Sequence, residues 1–328
     1  MSSTVQRLMI AGLVAVLIAA ATGCDTDGGD VTGDDQIDVV VTTTILEDTV
    51  RQLGGDDFRV HGLVNVGADP HVYQPTPDDA ALVAQSDAVV MNGLTLEGWM
   101  ENLVRNAGGD RPVIVGGDAI DDSDLLRVEG AVDPHIWFDV ELWRQVTGEV
   151  AEGLMALSDD EDVARRVADR HDEYDRVLQQ LHGWVDEQLA TISDSQRVLI
   201  TSHDAFNYFG EAYDIDVEAV QGMSTEQEPS QRDVANIVDL VEERRAPAVF
   251  TETSVNSRLI EQVARETGVN ERGPLYSDSV GPADSDAHTY VGMVQANVEM
   301  ITDALEGDYV AFDGGRIDDS DSAIGDDV

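Results

Sequence analysis

Short apolar runs alternate with amphipathic segments along most of this chain. β-branched and other apolar residues dominate the runs, and the segments between them repeat apolar positions at helical spacing. The predicted strands are residues 38–44, 58–64, 87–91, 112–115, 198–201, 217–220, 248–251 and 275–277. The predicted helices are residues 45–53, 77–85, 96–106, 140–157, 159–192, 205–213, 230–244, 257–268 and 289–305. Strands that alternate with helices predict an α/β protein with parallel sheets.

The segment at residues 159–192 differs from the other helical segments in its length. Its apolar residues repeat at steps of three and four, and no proline interrupts them. This periodicity predicts one amphipathic helix about 50 Å long, at about 1.5 Å per residue. Such a helix is too long to pack within one small domain, so we interpret it as the link between two α/β lobes.

The order of these segments predicts the organisation of the whole chain. Each lobe is expected to contain a mostly parallel four-stranded sheet flanked by helices, and one long rigid helix joins the two. The predicted parts are an amino-terminal leader (1–23), a flexible acidic tether (24–36), an N-terminal α/β lobe (37–157), the linking helix (158–195), a C-terminal α/β lobe (196–312) and a disordered acidic tail (313–328).

The charge of the chain excludes some classes of partner. Its 328 residues carry a net charge of −47, with 66 acidic residues, and all 19 basic residues are arginine. Such a surface repels nucleic acid, so no nucleic-acid partner is expected. Because the acidic residues are spread along the chain, we interpret them as a surface adapted to high salt, as in halophiles. The alternative is an acidic extracytoplasmic protein without that adaptation.

The amino terminus has the pattern of a lipoprotein signal. An apolar run at residues 8–21 has the length of a signal-peptide core and is too short for a good membrane-spanning helix. It ends at Ala21-Thr22-Gly23-Cys24, and Cys24 is the one cysteine of the chain. We predict that Cys24 is lipidated and anchors the protein to the outer face of the cytoplasmic membrane. An uncleaved anchor and an ordinary signal peptide are the alternatives.

Three histidines and one aspartate follow predicted strands. Asp-Pro-His occurs twice and places His71 and His135 just after loops, while His203 and Asp278 each come directly after a short apolar run. Sites in open α/β sheets lie outside the carboxyl ends of the strands, so we expect these side chains to meet in a cleft between the lobes. Three imidazoles and a carboxylate suit zinc, and also manganese or iron. Four protein ligands leave little room for an activating water, which argues against a hydrolytic centre.

The remaining histidines are interpreted as structural or solvated. His61 lies within a predicted strand, and His171 and His182 lie on the long helix. His288, at the start of the last helix, and Glu252, at the end of a strand, are the reserve candidates for the metal site.

Other residues near the two Asp-Pro-His motifs are interpreted as structural. Asp69 and Asp133 are interpreted as turn residues. Tyr73 and Trp137 are interpreted as apolar packing residues, and shielding of the site from water is the alternative.

Five motifs together resemble a known family, the zinc/manganese solute-binding lipoproteins of ABC importers. The resemblance covers about residues 37–310, and it implies two α/β domains joined by one rigid helix. The motifs are Gly-Ala-Asp-Pro-His-Val-Tyr-Gln-Pro at 67–75, Asn-Gly-Leu-Thr-Leu-Glu at 92–97, Asp-Pro-His-Ile-Trp-Phe-Asp at 133–139, Ser-His-Asp-Ala-Phe at 202–206 and Leu-Tyr-Ser-Asp-Ser at 275–279.

The resemblance implies a function and a set of ligands. A divalent transition metal (Zn²⁺ or Mn²⁺) would be bound by His71, His135, His203 and Asp278 and delivered to an ABC permease, without catalysis. We expect a monomer. The chain has Gln74 where the family commonly has glutamate, and residues 115–132 lack the histidine-rich loop that zinc-dedicated members often carry. The second difference weakens the assignment to zinc alone.

Two alternatives use the same scaffold. A metal-dependent hydrolase would need an open coordination position and a general base, for which Glu252 is the candidate. A lipid-anchored surface adhesin would bind a partner instead. A permease and an ATPase encoded beside this gene would favour the importer over both.

Overall fold

A computed structural model describes residues 36–314 of the chain. The predicted signal peptide, Cys24, most of the tether and residues 315–328 lie outside the described residues. Within residues 36–314, none of the helices combines the length and the apolar character needed to cross a membrane.

The N-terminal half is built on a four-stranded parallel sheet, as predicted. The strand order is β2-β1-β3-β4, and the central strand β1 is buried on both faces because Val39, Val40 and Val41 are all inaccessible. The strands are β1 (Ile37–Val41), β2 (Phe58–Gly62), β3 (Ala88–Met91) and β4 (Val113–Val115), and the helices are α1 (Thr44–Gly54), α2 (Pro77–Gln85), α3 (Met100–Ala107) and α4 (Val140–Met155).

A short antiparallel hairpin precedes α4 and was not predicted. It pairs β5 (Arg127–Val128) with β6 (Ala131–Val132). Strands of two residues have no detectable alternation of apolar and polar positions, so the sequence pattern gives no signal for them.

Side-chain caps fix where several helices begin. The Thr76 hydroxyl accepts a hydrogen bond from the Asp79 backbone amide, the Asp79 carboxylate accepts one from the Thr76 backbone amide, and Pro77 takes the first helical position of α2. Asp139 accepts hydrogen bonds from two backbone amides at the start of α4. Such caps satisfy amide groups that have no partner within the helix. The cap at Asp139 therefore fixes the path of the loop that carries the second Asp-Pro-His motif.

The long helix, α5 (Glu161–Leu189), has 29 residues. At about 1.5 Å per residue it is about 43 Å long, somewhat shorter than predicted. It lies within the predicted linking segment 158–195 and packs against α1, α4 and the last helix. Its buried face follows the predicted spacing of three and four residues, including Tyr174, Leu178 and Leu181.

The C-terminal half repeats the α/β pattern with two parallel pairs of strands. β7 pairs with β8, β9 pairs with β10, and β7 lies beside β9, so the α/β fold class is confirmed. The elements are β7 (Val198–His203), α6 (Asn207–Tyr213), β8 (Asp216–Gln221), α7 (Gln231–Arg244), β9 (Ala248–Glu252), α8 (Arg258–Thr267), β10 (Asn270–Leu275) and α9 (Tyr290–Ala304).

The bounds predicted for the last strand were wrong. We expected residues 275–277, whereas β10 is Asn270–Leu275 and contains Pro274. Glycine and proline favour a turn in a sequence, but proline is tolerated in a strand that pairs on one side only. Within the described residues β10 pairs only with β9, and its register shifts between Arg272 and Leu275.

One apolar core runs through both halves. The ring of Phe138 stacks on Phe206 with centroids 4.2 Å apart, and Trp143 stacks on Tyr290 at 5.5 Å. The buried Asp48 on α1 accepts a hydrogen bond of 2.7 Å from the Tyr290 backbone on α9. The two halves are therefore joined by packed aromatic side chains as well as by α5.

Candidate metal centre

The four predicted site residues come together at one point. One ligand atom from each of His71, His135, His203 and Asp278 can be chosen so that all of them lie within 4.8 Å of one another. His71 lies in the loop after β2, His135 follows β6, His203 ends β7, and Asp278 follows β10. Each parallel sheet places the carboxyl ends of its strands at one edge, which positions His71, His203 and Asp278, whereas His135 comes from the loop that follows the antiparallel hairpin.

The distances between the side chains define a small, closed space. His71 Nε2 lies 3.2 Å from His135 Nε2, and Asp278 Oδ1 lies 3.7 Å from His135 Nε2. Asp278 Oδ2 lies 3.5 Å from His203 Nε2. The exposed fraction of these residues is 9% for His71, 0% for His135 and His203, and 2% for Asp278. Four side chains that could bind a metal thus face one another, with three of them almost fully buried and His71 slightly exposed.

Two buried atoms in this space have no hydrogen-bond partner among the described residues. They are His203 Nε2 and Asp278 Oδ1. Buried polar atoms without a partner are rare because the lost hydration is not replaced. A cation held between a lone pair of the imidazole and the carboxylate would satisfy both atoms.

A carboxylate behind His135 fixes the orientation of its ring. Asp133 Oδ1 accepts hydrogen bonds from His135 Nδ1 at 2.7 Å and from the His135 backbone at 3.0 Å. Asn207 Nδ2 donates to the other oxygen at 2.9 Å, which holds Asp133 in place. With its proton on Nδ1, the ring presents the Nε2 lone pair to the shared space. The interpretation of Asp133 as only a turn residue was therefore incomplete.

The Glu252 carboxylate likewise fixes the orientation of the His203 ring. Its Oε2 lies 2.5 Å from His203 Nδ1, and its Oε1 accepts from the His203 backbone at 2.8 Å. Both oxygens of Glu252, one of the two reserve candidates, are thus engaged by His203, and Glu252 lies outside the group of four. The other reserve, His288, does not belong to the group, and its Nδ1 hydrogen-bonds to the Ser285 carbonyl at 2.7 Å.

An indole covers one side of the site. The Trp137 ring lies edge-on to the His135 ring, with centroids 5.2 Å apart, and its Nε1 donates to the Ser277 carbonyl at 2.9 Å. Ser254 Oγ donates to Asp278 Oδ2 at 2.9 Å. The indole thus holds the segment that carries Asp278 and excludes water from that side.

His71 forms the boundary between the site and a cavity of about 580 Å³. It is the one residue of the four that lines this cavity, together with side chains from both halves such as Trp99 and Met223. The cavity therefore adjoins the site on the side of His71.

The electrostatics of the site favour a bound cation. Burial lowers the pKa of the His71 imidazole to about 3, so this ring is neutral at ordinary pH. Burial also disfavours charge on His203, but the carboxylates of Glu252 and Asp278 outweigh it and hold its pKa well above the usual value. The pKa of Asp278 is lowered because His203 beside it outweighs the effect of burial. Without a metal, a proton on His203 balances part of the buried negative charge.

The other histidines lie where the sequence placed them. His61 on β2 contacts Asp38 at 2.8 Å, and His171 and His182 lie on α5. None of these three belongs to the group of potential metal-binding residues found within residues 36–314.

A closed group of three imidazoles and a carboxylate, placed between two α/β halves, defines a protein that binds a transition metal. The comparison with known proteins identifies which kind. The chain belongs to the family of the zinc-uptake complex component A, periplasmic (ZnuA), whose family model matches residues 39–304. The resemblance stated from the five motifs is thereby confirmed.

Individual relatives span nearly the whole chain. The manganese-binding lipoprotein MntA of Bacillus subtilis is 37% identical over 309 residues, which cover 92% of this chain and 99% of MntA. The zinc-binding protein TroA of Treponema pallidum is 35% identical over 273 residues, covering 81% of this chain and 88% of TroA.

Solved structures share the fold. The periplasmic zinc-binding protein TroA of Treponema pallidum matches with a TM-score of 0.79 and 33% identity, covering 82% of this chain and 99% of TroA. The Fe(III)-bound YtgA of Chlamydia trachomatis matches with a TM-score of 0.75 and 26% identity, covering 84% of this chain and 100% of YtgA. The two-lobed arrangement predicted from the sequence is the arrangement of this family.

Proposed function

We propose that this protein captures a divalent transition metal, zinc or manganese, between its two lobes and delivers it to the permease of an ABC importer. The observation that carries the proposal is the buried group of four coordinating side chains, in which His203 Nε2 and Asp278 Oδ1 have no other described partner. The names of the relatives support it, because MntA is called manganese-binding and TroA zinc-binding.

The proposed ligands are His71, His135, His203 and Asp278. The first two come from the lobe at residues 37–157 and the others from the lobe at residues 196–312, so the ion would bridge the two. Neutral imidazoles and one anionic carboxylate suit such an ion. Asp133 and Glu252 would increase the basicity of the rings in front of them.

The same geometry supports a binding protein over an enzyme. A metal-dependent hydrolase would need Glu252 free to act on a water, but both its oxygens are engaged by His203. An adhesin would need no buried ligand group of this kind. The ion is accordingly the cargo of the protein and not a catalytic cofactor.

The anchor and the partners complete the proposal. Lipidation at Cys24 would hold the protein at the outer face of the cytoplasmic membrane, facing the permease. MntA and other relatives are named lipoproteins, which supports this placement. The functional unit is proposed to be a monomer, since both lobes of one chain supply the ligands.

Metal analysis of purified protein tests the proposal directly. Protein stripped with a chelator and dialysed against zinc or manganese should retain one ion per chain. Cells that lack the protein should take up less of the physiological metal. A stripped protein that retains neither ion would overturn the proposed function.

Metal affinity is expected to fall as the pH drops from about 7 to 5. Binding requires the neutral form of His203, whose pKa is raised in the metal-free site, so each ion bound displaces at least one proton. His71 contributes no such proton because its pKa is about 3. The dissociation constant should rise about tenfold or more per pH unit. Competition titrations with a chelator at several pH values measure this, and a flat profile would contradict the role of the histidines.

A further inference from the structure

Within residues 36–314, two hydrogen bonds join the loop that carries His71 to the C-terminal half. The Gly67 backbone donates a hydrogen bond of 2.8 Å to Ser279 Oγ, next to the proposed ligand Asp278. Nearer the cavity, the Thr225 hydroxyl donates to Asp69 Oδ2 at 2.5 Å. The Ser279 side chain, which accepts the first hydrogen bond, is fully buried, whereas Thr225, which donates the second, is only half-buried.

Asp69 connects the Thr225 hydroxyl to the proposed ligand His71. While its Oδ2 accepts from Thr225, its Oδ1 accepts a hydrogen bond of 2.8 Å from the His71 backbone. One carboxylate therefore joins the His71 backbone to a side chain on the opposite half. A carboxylate that is held on both oxygens restricts the position of the backbone that it binds.

The Thr225 loop is itself fixed to the strand that neighbours His203. Gln221 Nε2 donates to the carbonyls of Thr225 and Gln227, both at 3.0 Å. In the ladder between β7 and β8, Gln221 is the partner of His203. A continuous series of contacts thus runs from His203 through Gln221, Thr225 and Asp69 to His71.

The hydrogen bond between Thr225 and Asp69 lies beside the cavity through which we expect an ion to leave. His71 is the most exposed of the four proposed ligands, and it alone lines the cavity that the Thr225 loop borders through Met223, Ser224 and Glu226. An ion can leave toward this cavity only if His71 moves away from the other three ligands. Movement of the His71 loop away from the C-terminal half breaks the hydrogen bond between Thr225 and Asp69.

We propose that Thr225 is a positioning residue for His71. Its hydrogen bond to Asp69 holds the His71 loop against the C-terminal lobe and thereby sets the rate at which the bound ion dissociates. The inference rests on the proposed function. It assigns to the hydroxyl of Thr225 a role in keeping the ion and none in coordinating it. Loss of the hydroxyl should speed dissociation about tenfold to a hundredfold, the range expected for a hydrogen bond to a charged group.

Rapid mixing of the zinc-loaded protein with an excess of a chromogenic chelator measures the dissociation rate. Thr225→Val removes the hydroxyl at nearly constant shape, Thr225→Ala removes it with less bulk, and Thr225→Ser retains it. Thr95→Val is the control for loss of a hydroxyl from the cavity wall, because Thr95 lines the same cavity, is more exposed than Thr225, and makes no side-chain hydrogen bond within residues 36–314. Thermal unfolding of the metal-free proteins checks that each variant folds.

The expected result is fast release from the Val and Ala variants, release near the parental rate from Thr225→Ser and Thr95→Val, and unchanged association rates and metal-free melting temperatures. Parental release rates for Thr225→Val and Thr225→Ala would overturn the proposal. Equally fast release from Thr95→Val would also overturn it, since the effect would then come from the polarity of the cavity. A parent protein that binds no zinc would instead refute the proposed function.

Discussion

Replacement of His135 with alanine is expected to abolish tight metal binding. His135 is fully buried, its Nε2 lies within 3.7 Å of two other proposed ligand atoms, and its ring is oriented by Asp133. Loss of a residue that hydrogen-bonds to a metal ligand lowers metal affinity about 10–100-fold, so loss of the ligand itself should lower the affinity further. The variant also leaves the Asp133 carboxylate buried without the imidazole, which adds a stability cost. His71→Ala and His203→Ala should likewise weaken binding strongly.

Histidines outside the site provide the controls for this experiment. His171→Ala and His182→Ala each remove an imidazole from α5, so they should leave metal affinity unchanged. Calorimetric titration of stripped protein with zinc compares all the variants. Equal affinities for the His135→Ala variant and the parent would show that the site has been assigned to the wrong residues.

Zinc is expected to bind far more tightly than manganese to the purified protein. Three nitrogens and one carboxylate rank divalent ions in the usual stability order, with manganese weakest and zinc well above it. Coordination through both oxygens of Asp278 would make the site five-coordinate and accommodate manganese better than a tetrahedron does. Even so, the site has few oxygen ligands, so it has no means of preferring manganese at equilibrium.

This preference is separate from the question of which ion the cell imports. MntA, at 37% identity, is named for manganese and TroA, at 35%, for zinc, so the family contains both. A competition titration in which zinc-loaded protein is mixed with increasing manganese measures the preference. Ready displacement of zinc by excess manganese would contradict it and would imply more oxygen ligands than the described geometry provides.

The sequence predicted that the side chains of His71, His135, His203 and Asp278 would meet, and the structure places them together. His71, His203 and Asp278 follow the carboxyl ends of parallel strands, where the general rule of α/β sheets places a site, whereas His135 reaches the same point from the loop after the hairpin of β5 and β6. The order of strands and helices followed from apolar periodicity in the same way. Both inferences use local patterns and a general rule of topology, without any knowledge of distances.

Roles that depend on contacts between distant segments could not be predicted. Glu252 lies 49 residues from His203, and nothing in their spacing indicates that one orients the other. Asp133 gave a weaker signal that was overlooked, since it lies two residues before His135, within reach of the ring. The tie between Asp69 and Thr225 spans 156 residues and is visible only in three dimensions.

The aromatic core that joins the halves has a thermodynamic consequence. Neither half can lose its packing without exposing rings that belong to the other, such as Phe206 or Tyr290, so the described chain should melt in a single cooperative transition. An ion bound only to the folded form then stabilises every residue that takes part in that transition. At a free concentration one thousand times its dissociation constant, the gain is about 4 kcal/mol. Loading with metal would therefore slow any proteolysis that requires global unfolding, even where the cleaved segment, such as the middle of α5, supplies no proposed ligand.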